Sequence, residues 1–210
     1  MNQLEYEQLV HEILTCTKCP LHKYRKRPVP GEGKIDADIM IIGEAPGEKE
    51  DEQGRPFVGP AGNLLTKILS EIGISRSDVY ITNVVKCRPP ENRDPTDEEI
   101  RSCLPYLIRQ IRIIRPKIII CLGRHSAREI LKLCGFKERE VSQISKIRGR
   151  IFNVKMFNEI DITILPTYHP AAALYNPKLR NYIYEDIKKI VEIYRTGRID
   201  IKRKSILDYL

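Results

Sequence analysis

The stretch IMIIGEAPGEKEDEQGRPFVGPAGNLLTKIL, residues Ile39 to Leu69, decides the fold. Its apolar run Ile39–Ile42 is short and bounded by glycine, as a buried strand is. After Asn63 the spacing of Leu64, Leu65, Ile68 and Leu69 follows a helical period, so a helix is predicted from Asn63 to Ile72. Between them lies a loop of about 17 residues, longer than a strand-to-helix connection needs, and loops of that length are usually functional. It carries Glu44, Glu48, Glu50 and Asp51, then Arg55-Pro56-Phe57, an aromatic among polar neighbours. In an α/β sheet ligands bind at this carboxyl edge. The loop is therefore the first candidate site.

Working outward, Val79 to Val85 reads as a second strand with Asn83 near its ligand edge, and Lys117 to Leu122 as a third. Asp161 to Leu165 is a fourth, running into Pro166-Thr167-Tyr168-His169-Pro170, while residues 149–157 alternate as a strand or hairpin. Helices are expected over residues 2–14, from a Thr96–Glu99 capping box to Ile114, from His125 to near Gly135, and from Pro177 to Arg195. Residues 20–36 are proline-rich, glycine-rich and basic and read as an exposed loop; their Lys23, Arg25, Lys26 and Arg27 suit solvent or phosphate. Lys86 to Pro95, with Cys87, Arg88, Asn92 and Arg93, is a second functional-loop candidate. Strands alternating with helices predict a three-layer α/β/α sandwich around a four-stranded parallel sheet. Residues 1–200 form one domain and 201–210 a tail, and three loops meet at one sheet edge.

A net charge of +8 across 210 residues fits a polyanionic partner, nucleic acid foremost. No run approaches the roughly 18 apolar residues of a membrane span, and the first residues lack a secretory pattern. A cytoplasmic monomer without a membrane role is expected. Six cysteines in such a chain point to metal ligands or core residues rather than disulfides. Cys16 and Cys19 form a C-x2-C pair, and Cys87 and Cys103 stand fifteen residues apart, so four thiolates can share one centre. The spacing alone leaves zinc and iron–sulfur both open. Cys121, in an apolar run, and Cys134, at a helix end, read as core residues.

Four segments now carry a resemblance. Gly43-Glu44-Ala45-Pro46-Gly47, Gly54-Arg55-Pro56-Phe57-Val58-Gly59, Thr82-Asn83-Val84-Val85-Lys86-Cys87-Arg88-Pro89-Pro90 and His169-Pro170-Ala171-Ala172 resemble the motifs of the uracil-DNA glycosylase superfamily. The four cysteines single out its iron–sulfur family four, and family five is the second choice. The resemblance implies a [4Fe–4S] cluster on Cys16, Cys19, Cys87 and Cys103, and a substrate of uracil-containing DNA, single- or double-stranded. It implies release of free uracil, leaving an abasic site.

By that resemblance Phe57 stacks on the uracil ring, and Glu44 and Ala45 meet the base mainly through backbone groups. Asn83 can read uracil, its amide oxygen accepting from N3–H and its NH2 donating to O4. Glu50 fills the space beside Gly47, where the best-studied branch has a tyrosine that excludes the thymine methyl. Ala45 stands where that branch has a water-activating aspartate, so His169, a neutral imidazole donating to uracil O2, is the expected electrophile. Asn92 is a candidate for positioning water. Leu174, or Tyr175, resembles the wedge that fills the hole left by the flipped base, and Arg88, Lys178 and Arg180 are candidates for phosphate contacts. Two other classes fit the residues: a magnesium-dependent nuclease using Glu44, Glu48, Glu50 and Asp51, and a cluster-bearing DNA-binding module. In the tail, Ile206, Tyr209 and Leu210 have the spacing of a sliding-clamp-binding motif, with Arg203 where the usual glutamine stands.

Overall fold

The computed structural model describes residues 2–197. The tail residues Ile206, Tyr209 and Leu210 lie outside the described residues. In chain order the elements are α1 (Asn2–Leu14), β1 (Glu32–Gly33), β2 (Ile39–Gly43), α2 (Glu48–Gln53), α3 (Pro60–Glu71), β3 (Tyr80–Asn83), α4 (Asp97–Ile114), β4 (Ile118–Leu122) and α5 (Arg124–Leu133). They continue with α6 (Glu138–Val141), α7 (Ile144–Ile147), β5 (Phe152–Met156), β6 (Ile160–Thr167), α8 (Pro170–Tyr175) and α9 (Lys178–Arg195).

One six-stranded sheet has the order β1-β3-β2-β4-β6-β5. The four strands expected from the sequence, β2, β3, β4 and β6, pair in parallel, while β1 and β5 add antiparallel edges. The sheet is therefore mixed and six-stranded, a correction to the four-stranded parallel expectation. β1 escaped notice because two residues show no alternation, and it lies in the segment read as an exposed loop. There Leu21 and Val29 are fully buried.

The central strands are apolar on both faces because helices cover both. Successive residues point to opposite sides. Met40 and Ile42, with Ile119 and Cys121, join the core under α1, α4 and α5, while Ile39 and Ile41, with Ile118 and Ile120, join the core under α3 and α9. The three-layer arrangement follows. α4 starts where the sequence says: Thr96 Oγ1 accepts from the Glu99 N–H and the Glu99 carboxylate accepts from the Thr96 N–H at 2.8 Å.

Strand order puts the functional edge in place. The chain steps from β2 to β3 on one side and then crosses to β4 on the other, so the connections diverge at the carboxyl end of β2. A crevice opens at such a switch point. Gly43 ends β2 there, directly opposite Asn83 at the end of β3.

Candidate active site

A cleft of about 630 Å³ occupies that crevice, and Glu44, Phe57, Asn83, His169 and Leu174 all border it. The long loop after β2 is not structureless: Glu48 to Gln53 coil into α2, capped by Gly54 in the left-handed region. This helix carries Glu48, Glu50 and Asp51, and each of the last two has an internal task. Asp51 accepts from the Lys26 N–H at 3.0 Å, and Glu50 Oε1 accepts from the N–H groups of Val58 and Gly59, both at 2.8 Å. Glu50 thereby joins α2 to the start of α3. A Cβ on Gly47 would stand 2.8 Å from Glu50 Oε2, so the carboxylate occupies the space a larger residue at 47 would need.

Asn83 is 1% exposed, and its Oδ1 has no hydrogen-bond partner. An orphaned buried acceptor costs about 1–3 kcal/mol, a cost that a donor entering the cleft would relieve. The close packing around it requires glycine at 43. A Cβ there would lie 2.3 Å from Asn83 Oδ1 and 2.6 Å from Phe57 Cζ. Phe57 itself adopts φ +49°, a strained conformation for a non-glycine residue. Its carbonyl accepts from Arg76 Nη1 at 3.0 Å, and Arg76 in turn pairs with Glu32 at 2.8 Å. Nothing in the sequence marked Arg76, because the lock joins three elements far apart in the chain.

His169 follows β6 and is the N-cap of α8. Its Nδ1 accepts from the Ala171 N–H at 3.1 Å, and a backbone N–H can only donate. The ring proton of the neutral imidazole is therefore on Nε2. Burial pulls the His169 pKa down to about 4, with Glu50 opposing, so the ring is neutral through the physiological range. It sits 5.7 Å from the Phe57 ring, tilted by 32°.

Glu44 borders the same cleft, half-buried, and its pKa rises to about 7 through burial first and the Asp94 charge second, with Arg124 and Arg128 opposing. Asp94 and His125 were not singled out by the sequence. His125 Nε2 lies 3.2 Å from Asp94 and 3.9 Å from Glu44, and it accepts from Arg124 Nε at 2.9 Å. The three ligand atoms of Glu44, Asp94 and His125 fall within 4.8 Å of one another. Loop and helix converge there only after folding. The Arg124 guanidinium already pairs with Asp94 and His125.

Asn92 also borders the cleft; its Oδ1 accepts from Arg88 Nε at 2.8 Å, and it sits at φ +55°. Ala45 is half-buried on the cleft wall. Leu174 is 48% exposed and Tyr175 91% exposed on α8, at the rim. Lys178 is exposed at the start of α9, whereas Arg180 is bound to Glu71 at 2.6 Å.

Cys16, Cys19, Cys87 and Cys103 line one narrow recess. Arg25 Nη1 donates to Cys87 Sγ at 3.2 Å and the Lys86 N–H donates to Cys103 Sγ at 3.2 Å. Four cysteine side chains around one recess are a donor set that would suit a metal ion or cluster. Burial raises the Cys103 thiol to about 12 and also raises Cys19 and Cys87. Burial also pulls Lys86 down to about 7, opposed by Cys103 and Cys87. Cys121 is fully buried and Cys134 donates to the Ile130 carbonyl, so both are core residues.

Residues 30–191 match the family described as Uracil DNA glycosylase superfamily. The chain belongs to the uracil-DNA glycosylase superfamily. It is 55% identical over 193 residues to a type-4 uracil-DNA glycosylase of Sulfurisphaera tokodaii, covering 91% of this chain and 86% of that protein. To the type-4 enzyme of Archaeoglobus fulgidus it is 47% identical over 204 residues, covering 97% and 98%. A type-5 uracil-DNA glycosylase of Pyrobaculum aerophilum is 33% identical over 68% of this chain and 79% of that protein. Membership is therefore in the type-4 branch of the superfamily.

Proposed function

We propose that the chain is a DNA repair glycosylase that takes deoxyuridine out of the stack and hydrolyses its N-glycosidic bond. The observation that carries this reading is the orphaned Oδ1 of Asn83, a residue that lines a cleft also holding a neutral imidazole with its proton on Nε2. Uracil offers a donor at N3–H and an acceptor at O2, so it fits both. Cytosine has a bare acceptor at N3 and would leave Asn83 opposed, at about 1–3 kcal/mol. Phe57, held in a strained conformation beside His169, supplies a stacking face, and Glu50 fills the space beside Gly47 against a 5-methyl group. The Glu44 and Ala45 backbone completes the wall.

In the reaction the C1′–N1 bond breaks, its electron pair passes into the uracil ring, and His169 Nε2–H stabilises the charge that gathers at O2. Water adds to C1′, and the Glu44 carboxylate, its pKa raised to about 7, takes the proton that water releases. Asn92 and Asp94 border the same cleft and are the candidates for positioning that water. Leu174 at the rim suits the wedge role, with Tyr175 beside it; Arg88 and Lys178 suit phosphate contacts, and Arg180 would first have to leave Glu71.

Cys16, Cys19, Cys87 and Cys103 would hold a [4Fe–4S] cluster, which ties α1 to the loop after β3 and supplies no step of the reaction. The likeness to the type-4 enzymes favours it over zinc. The protein should then be yellow-brown, absorbing near ~400 nm. The tail is read as a sliding-clamp ligand through Ile206, Tyr209 and Leu210 of a monomeric enzyme. Calorimetry comparing the intact chain with one lacking residues 205–210 tests it, and equal binding by both ends that reading.

A metal-dependent nuclease remains the second reading because Glu44, Asp94 and His125 converge. Against it, two of the four carboxylates first considered for it are committed elsewhere, Glu50 to α3 and Asp51 to Lys26. One assay decides: uracil-containing DNA with EDTA present. Free uracil and an unbroken backbone until alkali is added support the glycosylase, strand breaks that need metal support the nuclease, and tight binding without base release supports a binding module.

A further inference from the structure

Phe57 hangs between two peptide planes, and one side chain holds both. Arg76, in the turn between α3 and β3, donates from Nη2 to the Pro56 carbonyl and from Nη1 to the Phe57 carbonyl at 3.0 Å. The first carbonyl belongs to the peptide before the Phe57 Cα and the second to the peptide after it, and each peptide is planar. The angle between the two planes is what φ and ψ of Phe57 describe. A rigid, planar guanidinium that grips one carbonyl on each plane therefore holds Phe57 at φ +49°, a conformation that an unrestrained phenylalanine would leave. The second peptide is held at its other end too, where the Val58 N–H donates to Glu50.

The guanidinium is itself anchored. Its Nε and Nη2 donate to Glu32 Oε1 at 2.9 and 2.8 Å, and Glu32 belongs to β1, opposite Ile81 on β3. Burial opposes ionisation of Glu32, but Arg55 and Arg76 outweigh it and hold its carboxyl below the usual range. Of these two arginines Arg76 is the better shielded, 19% exposed against 60%, and so the stronger partner. On the opposite side a Cβ on Gly62 would fall 1.9 Å from the Phe57 oxygen, so glycine there leaves the carbonyl where Arg76 reaches it. Neither Arg76 nor Glu32 is among the residues that border the cleft. Any effect on the base must pass through Phe57.

We infer that Arg76, anchored to the sheet by Glu32 of β1, is a positioning residue that fixes the backbone of Phe57 and thereby aims its ring for stacking on the base. The inference rests on the uracil-pocket reading above. It gives the two-residue edge strand a task in recognition. Lysine cannot replace Arg76, because one nitrogen on a flexible stem cannot hold two carbonyls and a carboxylate in a single plane.

The test uses the full chain carrying ring-carbon-labelled phenylalanine, four residues in all, with the Phe57 signal assigned by its loss in Phe57→Leu. Free uracil should shift that signal in the wild type. In Arg76→Lys, which keeps the charge, the Phe57 signal should move before uracil is added and respond less to it, and free uracil should inhibit base release several-fold more weakly. Phe57→Leu should weaken that inhibition as well, and adding Arg76→Lys to it should weaken it no further, since one residue acts through the other. A wild-type Phe57 signal in Arg76→Lys, or losses that simply add, would overturn the inference and leave Arg76 a role in stability alone. Should Arg76→Lys fail to fold, Glu32→Gln, which keeps Arg76 but removes the charge that anchors it, must move the same signal, and an unmoved one overturns the inference. Wild-type ring signals and base release both indifferent to free uracil would instead overturn the uracil-pocket reading beneath it, a separate outcome because it is read on the unmodified chain.

Discussion

At the scale of single residues, the proposed chemistry rests on two protonation states that the environment sets in opposite senses. Burial lowers His169 to about 4 and raises Glu44 to about 7. His169 is then a neutral donor throughout the working range, and Glu44 is protonated below about 7 and a carboxylate above it. Single-turnover uracil release should therefore rise with pH through about 7, and Glu44→Gln should abolish that rise and slow release by roughly 100-fold or more. A wild-type profile flat from pH 5.5 to 8.5 would remove Glu44 as the base. The same shift bears on stability. Because the folded pKa of Glu44 lies above its unfolded value, its contribution to stability is complete below about 4.5 and is lost as pH rises through about 7. His169→Ala should cost ~100 to 1000-fold in single-turnover rate with little change in DNA affinity, as loss of one oxyanion-type donor does. Asn83→Asp should cut uracil release and admit cytosine weakly, since a protonated carboxyl can donate where the amide oxygen only accepts; base-release assays on both substrates check this. Asn83 and His169 were legible because each stands where a strand's carboxyl edge was predicted. Asp94, His125 and Arg76 were not, since their roles come from neighbours distant in the chain.

At the scale of elements, short capped helices carry the site. α2 was missed because Glu48 to Gln53 has no apolar stripe; it is held by Gly54 and by the Glu50 bridge to α3 rather than by burial of a face. Glu50→Ala leaves the Val58 and Gly59 N–H groups without that acceptor, and should lower stability by about 1–2 kcal/mol in urea unfolding, in line with lost caps. Residues 169–174 were read as one of the edge loops, yet His169 caps α8 and Pro170 suits its first turn, so the proposed electrophile and the rim Leu174 are fixed by one turn of helix. Leu174→Ala should slow uracil release from duplex far more than from single-stranded DNA, because only the duplex has a stack to refill. Equal losses on both substrates would assign Leu174 to packing. The capping box at Thr96 was readable in advance because its whole hydrogen-bond circuit lies within four residues.

At the scale of the whole molecule, a basic body meets a polyanion, so affinity for DNA should fall as salt rises. Arg88→Ala should reduce the slope of log affinity against log salt by about 1 with no change in base preference, measured by anisotropy titration. An unchanged slope would mean that Arg88 serves only to hold Asn92. The sequence by itself determined what is local or periodic: four parallel strands from apolar runs, the main helices from their stripes and caps, and family from motifs in order. Tertiary structure alone decided what depends on contacts between distant segments. It set the antiparallel edge β1, the edge pairing of the strand already legible at residues 149–157, the strand order that opens a crevice at Gly43, and the gathering of four cysteines around one recess. It also set the opposite pKa shifts of Glu44 and His169. The physical reason is range: propensity and capping act over a few residues along the chain, whereas desolvation, charge proximity and ligand geometry act through space and exist only once the chain has closed on itself.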